Sequence, residues 1–139
     1  MDTGPTAETW PHVPPMDVRA PHYALLAEGS WVWVAYRTDD DDAGGSFAVV
    51  QFYSVEEHRL GPPDAEHLDE HPLHGRGLEP FAFHTVLEAI PDPYTPVRWV
   101  ATFRDATLEV RAVNVTVVAR GVRAASARDA LLAVVPGDG

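Results

Sequence analysis

The sequence predicts an α+β domain: a mostly antiparallel sheet of about five strands with one C-terminal helix, the alternative being a half-open β-barrel. Three observations predict it. Five stretches are rich in β-branched and aromatic residues, turn-forming residues separate them, and the clearest capped helical pattern lies near the end. A chain of 139 residues is the length of one domain with a single modest core. The expected organisation is a proline-rich arm over residues 1 to 22 and a single α+β domain over 23 to 139.

The arm carries Pro5, Pro11, Pro14, Pro15 and Pro21, enough to forbid a helix or a central strand. Trp10, Val13 and Met16 are its candidate anchors to the body. SWVWVAYR (30 to 37) and SFAVVQFYS (46 to 54) read as two strands of a hairpin joined by TDDDDAGG. Both are apolar on both faces, so the hairpin is expected to be central or to face a pocket. Residues 55 to 80 read as loop, with a short helix through DAEHLDEH ending before Pro72.

FAFHTVLE (81 to 88) and VRWVATFR (97 to 104) alternate with the period of two that marks strands, with PDPYTP breaking the chain between them. Asp105 and Ala106 offer a tight turn. In TLEVRAVNVTVV (107 to 118) the apolar parity slips: Leu108, Val110 and Ala112 share one face, whereas Val113, Val115 and Val117 share the other. One extra residue near 112 to 114 would produce this, so a β-bulge or bend is expected there. Ser126 and Asp129 form a capping signature for a helix over about 127 to 135, with Ala127, Leu131 and Val134 or Val135 inward.

Composition narrows the function classes. The formal charge is -11, and all ten basic residues are arginine. So acidic a surface repels phosphate backbones, which disfavours nucleic acid and favours a basic protein partner or plain solubility. The absence of cysteine excludes disulfides, thiolate zinc sites and a cysteine nucleophile. No apolar run is long enough to span a membrane, and the N-terminal residues lack the pattern of a signal peptide, so a cytoplasmic protein is expected. Arginine in place of lysine, with abundant alanine and valine, fits a high-GC bacterial origin.

His67, Glu70 and His71 match H-x-x-E-H, a spacing that on an α-helix lets two imidazoles share a metal, and His74 would be a third ligand. Pro72 ends the helix at once, so this stretch is read as an acidic connecting loop, with no metal and no cofactor assigned. The DDDD run at 39 to 42 lacks the spacing of a calcium loop and reads as a solvated turn. Gly75 and Gly77 flank Arg76 and allow backbone angles that bring a loop close to a ligand, with Arg76 gripping an anion; a simple turn into the next strand is the competing reading.

HPLHGRGLEPFAFHTV (71 to 86) and TFRDATLEV (102 to 110) resemble a bacterial protein family marked by H-P-L-x-G-x-G-L and, downstream, T-F-H-D-S-T-F-E. The resemblance brings no assigned activity. His71, Gly75, Gly77, Asp105, Thr107 and Glu109 fit its pattern; Arg104 stands where the pattern has histidine and Ala106 where it has serine.

Two functions follow from the residues. The first is an acidic binding domain that recognises a protein partner, a class that includes immunity-type inhibitors of basic toxins. A contiguous acidic patch without a deep pocket would mark it. The second is a small cofactor-free enzyme, an isomerase, cyclase or lyase, holding a small organic substrate in a pocket lined by Trp31, Trp33, Phe52, Phe83 and Trp99. There His84 would be the general base, Arg98 or Arg104 the oxyanion clamp, and Asp105 or Glu109 the orienting carboxylate. The binding reading is preferred, because the sequence shows no nucleophile, phosphate loop or complete ligand set; its residues are His71, Arg76 and the tryptophans Trp31, Trp33 and Trp99.

Overall fold

The computed structural model describes residues 4–17, 23–39, 46–87 and 97–135. The DDDD run beyond Asp39 and the PDPYTP break lie outside them. The strands are β1 (Thr6–Thr9), β2 (Tyr23–Glu28), β3 (Trp31–Arg37), β4 (Ser46–Gly61), β5 (Phe83–Leu87), β6 (Val97–Thr102) and β7 (Thr107–Arg123). A 3₁₀ helix (Ala65–Glu70) lies between β4 and β5, and α1 (Ala127–Val134) ends the described chain. The strands form one antiparallel sheet in the order β1-β5-β6-β7-β4-β3-β2. The α+β class and the C-terminal helix hold.

The sheet has seven strands instead of five, and the two additions are its edges. β1 is four residues long, lies between Pro5 and Pro11, and pairs only with β5. Proline is tolerated there because an edge strand needs ladder bonds on one side only. Part of the N-terminal arm is therefore sheet. Beyond it Trp10 packs edge-on to Trp99 with centroids 5.2 Å apart, and Met16 is buried and bridges Thr38.

The sheet curls without closing. Tyr23 of edge strand β2 stacks on Phe103 just after β6, at 4.3 Å, and Tyr36 of β3 meets Phe83 of β5 at 5.2 Å. Those strands are separated by others in the sheet order, so the contacts require a concave face that folds over its own core. Val32, Val34, Val50, Phe52, Leu108 and Val110 fill that core. β1 and β2, at opposite ends of the order, do not pair with each other.

β4 and β7 supply the curvature. A straight strand of 16 residues would extend about 50 Å, whereas a domain this size has a radius of gyration near ~14 Å. The β4–β7 register shifts between Phe47 and Val49, between Val49 and Val50, and between Val55 and Glu57. The predicted parity slip in β7 is present: Val113 and Asn114 are both exposed between buried Ala112 and Val115. The inserted residue nearest to it belongs to β4 instead, since Val55 pairs with Ala112 but Glu57 with Arg111.

The convex face is covered at two places. α1, capped by the Ser126 hydroxyl accepting from the Asp129 N–H, lays Ala127, Ala130 and Leu131 on Trp33, Ala35, Phe47 and Val49. The segment after the 3₁₀ helix packs Leu73 on Ala7, Val86 and Val100. Gly75 and Gly77 both have positive φ, and the Arg76 carbonyl accepts from the Ala7 N–H at 2.7 Å while its Nε donates to the Pro5 carbonyl. Arg76 thus tethers β1. No described helix is long and apolar enough to cross a membrane.

A methyl group at Gly77 would lie 1.9 Å from the Ala7 carbonyl oxygen, whereas one at Gly75 would meet nothing within 4 Å. Gly77→Ala should therefore cost about 2 kcal/mol or more in urea unfolding, and Gly75→Ala only about 1 kcal/mol for its backbone angle. Equal losses would show that the close approach of β1 is not what requires glycine.

Candidate functional site

The convex face between those two covers carries charge. Residues opposite one another in an antiparallel pair share a face, so the register builds two rows across three strands. Glu57, Arg111 and Arg98 form one row; Arg59, Glu109 and Val100 form the other. The Val55–Glu57 bulge sets this pattern, because it moves Glu57 and Arg59 onto the face that Glu109 and Arg111 already occupy. Pro62 and Pro63 beyond β4, with Glu70, His71 and Pro72 from the loop, wall in a cleft of about 570 Å³ above these side chains.

His71 is the innermost of them. Its side chain is 2 % exposed, and its Nδ1 accepts from the Leu73 N–H at 3.0 Å. The neutral imidazole therefore carries its proton on Nε2, which lies 3.7 Å from a Glu109 carboxylate oxygen. That is longer than a hydrogen bond, and Nε2 is buried with no hydrogen-bond partner. Glu109 receives a 2.7 Å charge-assisted bond on its other oxygen from Arg98. The His71 Nε2–H directed at it from 3.7 Å and the hydrogen bond and charge of Arg98, against the opposing effect of burial, hold the Glu109 carboxyl down at about 2. It is an anion at any physiological pH.

Of the residues singled out in the sequence, the structure brings together His71, Arg98 and Glu109. His84 lies apart from the cleft, wholly buried, its Nδ1 donating to the Val100 carbonyl and its Nε2 accepting from the Glu79 N–H. Burial pushes its pKa down, against the bond to Val100. Both ring nitrogens are used in holding β5 to its neighbours, which leaves no lone pair or proton for a substrate.

Arg104 and Asp105 occupy the exposed β6–β7 turn, where Phe103 N–H donates to the Ala106 carbonyl. The five aromatic residues expected to line one pocket are divided. Phe52, Phe83 and Trp99 belong to the concave core, Trp33 packs under α1, and Trp31 is 47 % exposed.

The H-x-x-E-H spacing does not gather its imidazoles. His67 is exposed and bonds the Asp64 carboxylate at 2.7 Å, while His71 turns inward. The reason is local backbone geometry: His67 sits at a kink with φ -115° and ψ 24°, and His71 caps the 3₁₀ helix in an extended conformation with φ -77° and ψ 140°, so the two do not share a helix face. Asp64 raises the His67 pKa through that bond, and His67 lowers that of Asp64. Among the described residues no three or more His, Asp or Glu side chains are grouped to hold a metal.

Arg59, Arg111 and Glu57 were not singled out from the sequence. Only Leu60 is apolar among residues 56 to 60, so no strand period marks Glu57 and Arg59 in the sequence. Compared with protein-family models, curated proteins and solved structures, the chain matches none.

Two measurements check this geometry. The Glu109 pKa is depressed in the folded state, so its stabilising contribution is present above the ordinary value of 4.5 and is lost as pH falls to about 2. Glu109→Gln should therefore unfold more easily than the parent at pH 7, by on the order of 3 kcal/mol, and the gap should narrow below pH 4.5 until most of it is gone at about pH 2. A gap independent of pH would remove the ion-pair explanation. Long-range ¹H–¹⁵N NMR of the neutral imidazoles should show opposite tautomers, with the proton on Nε2 of His71 and on Nδ1 of His84.

Proposed function

We propose that this protein is a binding domain and that its partner is recognised at the cleft over β4, β6 and β7. The observation that carries this reading is the state of Glu109. A general base works best when its pKa lies near the operating pH, and a carboxyl held at about 2 by His71 and Arg98 is far below it. The same arrangement suits recognition, since charges locked in place before binding need no reorganisation when a partner arrives. Glu57, Glu70 and Glu109 share the cleft with Arg59, Arg98 and Arg111, in place of the contiguous acidic patch expected of such a domain. The net charge of -11 still supports a partner that is cationic overall, with exposed Glu57 and Glu70 as its first contacts.

One observation favours the enzyme reading: an imidazole and a carboxylate side by side in a cleft, as in acid–base sites. The burial of the His71 Nε2 weighs against it, because a group that relays a proton to substrate must touch it.

Hydrogen–deuterium exchange of the full chain, alone and with fractions of a host extract, tests the proposal. Protection is expected at residues 57–63, 70–72 and 109–111. Protection confined to the outer strands β1 and β2, or to α1, would move the binding surface elsewhere and end this reading.

A further inference from the structure

The two charged rows on the cleft floor are not balanced locally. Arg98 and Arg111 stand directly opposite each other in the β6–β7 register, and like charges in that relation destabilise a sheet. Arg59 lies diagonal to Arg111, opposite Glu109 on the other strand. Three of the ten basic residues of this acidic chain are thus gathered on one small area.

Their carboxylate partners are unequal. Glu109 satisfies Arg98 at 2.7 Å, whereas Glu57 reaches Arg111 only at 3.9 Å from a side chain that is 71 % exposed. Arg59 has no ion pair with a described carboxylate. A tightly held anion therefore serves one arginine, and two arginines beside it are left with weak compensation or none.

From this we infer that the cleft binds a small oxyanion, a carboxylate or phosphate group, between the Arg59 and Arg111 guanidinium groups. The inference rests on the cleft being the partner's binding site: the oxyanion is a group that the partner carries into the cleft, while its wider cationic surface meets the acidic surroundings. Planar guanidinium forks match both oxyanions with two parallel N–H···O bonds each, and an anion between them also relieves the repulsion between Arg98 and Arg111. Glu109 and His71 are positioning residues here: Glu109 draws Arg98 back from the ligand and His71 faces Glu109. On the open side, exposed Glu57 swings away from Arg111 without breaking a short bond.

The test titrates the full chain with inorganic phosphate and, separately, with succinate, each against sodium chloride at matched ionic strength. The readouts are Tm and the Nε–H NMR signals of arginine. Binding should raise Tm by about 5 °C once the anion reaches ten times its Kd and should shift the Arg59 and Arg111 signals. Arg59→Gln and Arg111→Gln, both at exposed or half-exposed positions, should keep the parent far-UV spectrum and weaken the Kd about tenfold or more.

A response to phosphate alone identifies a phosphate-bearing ligand, and a response to succinate alone a carboxylate; either supports the site. No response to either anion, or the same Tm rise in both variants, overturns it. Cleft protection in hydrogen exchange together with no anion response would leave the binding domain standing and remove only the oxyanion.

Discussion

The pairing of β4 with β7 is the constraint on which the rest of this structure depends. These strands of 16 and 17 residues occupy the middle of the sheet and are too long to lie straight in a domain of this size. Bulges bend them, and bending turns the sheet into a trough that covers its own core with Tyr23 on Phe103 and Tyr36 on Phe83. Without that curl the concave residues of β3, β4 and β7 would face solvent. The short outer strands add area to an arrangement the central pair has already decided.

The same bulges have a second effect. Each inserted residue reverses which side chains face inward from that point on. Beyond Val55, the reversal sends Glu57 and Arg59 to the convex face, beside Arg111 and Glu109. A charged cleft therefore forms on the convex face between the part covered by α1 and the part covered by the loop carrying Leu73. Curvature and site have one cause, which ties the polar chemistry of the cleft to the packing of the core.

Histidine has two different uses in this chain. His84 is a structural link, neutral and saturated with backbone partners. His71 is equally buried but holds one nitrogen toward a carboxylate in a cleft. Both are buried, and what distinguishes them is the number of backbone groups within reach. β6 brings the Val100 carbonyl and the loop before β5 brings the Glu79 N–H to His84, whereas the turn after the 3₁₀ helix brings only the Leu73 N–H to His71.

Much of the fold was legible along the sequence. Period-two alternation located β5, β6 and most of β7, a β-branched and aromatic run located β3, and the Ser126 cap located α1, because these signals depend on neighbours a few residues away. The parity slip in β7 was visible for the same reason. The edge strands were not: β1 is too short to show a period, and β2 reads as a plain apolar run. The strand character of Glu56 to Leu60 was hidden too, because these residues have little β-propensity of their own and are extended because β7 pairs with them.

The site divides in the same way. His71, Arg98 and Glu109 each stood out by residue type, but their meeting depends on a loop folding over a sheet face some 30 residues away in sequence. Arg59 and Arg111 came to lie on one face only through the bulge between Val55 and Glu57. Sequence by itself determined which segments extend or coil and how acidic the surface is, since those follow from local sterics and charge. Tertiary structure alone decided which charges meet, because register and curvature are set by packing across the whole sheet.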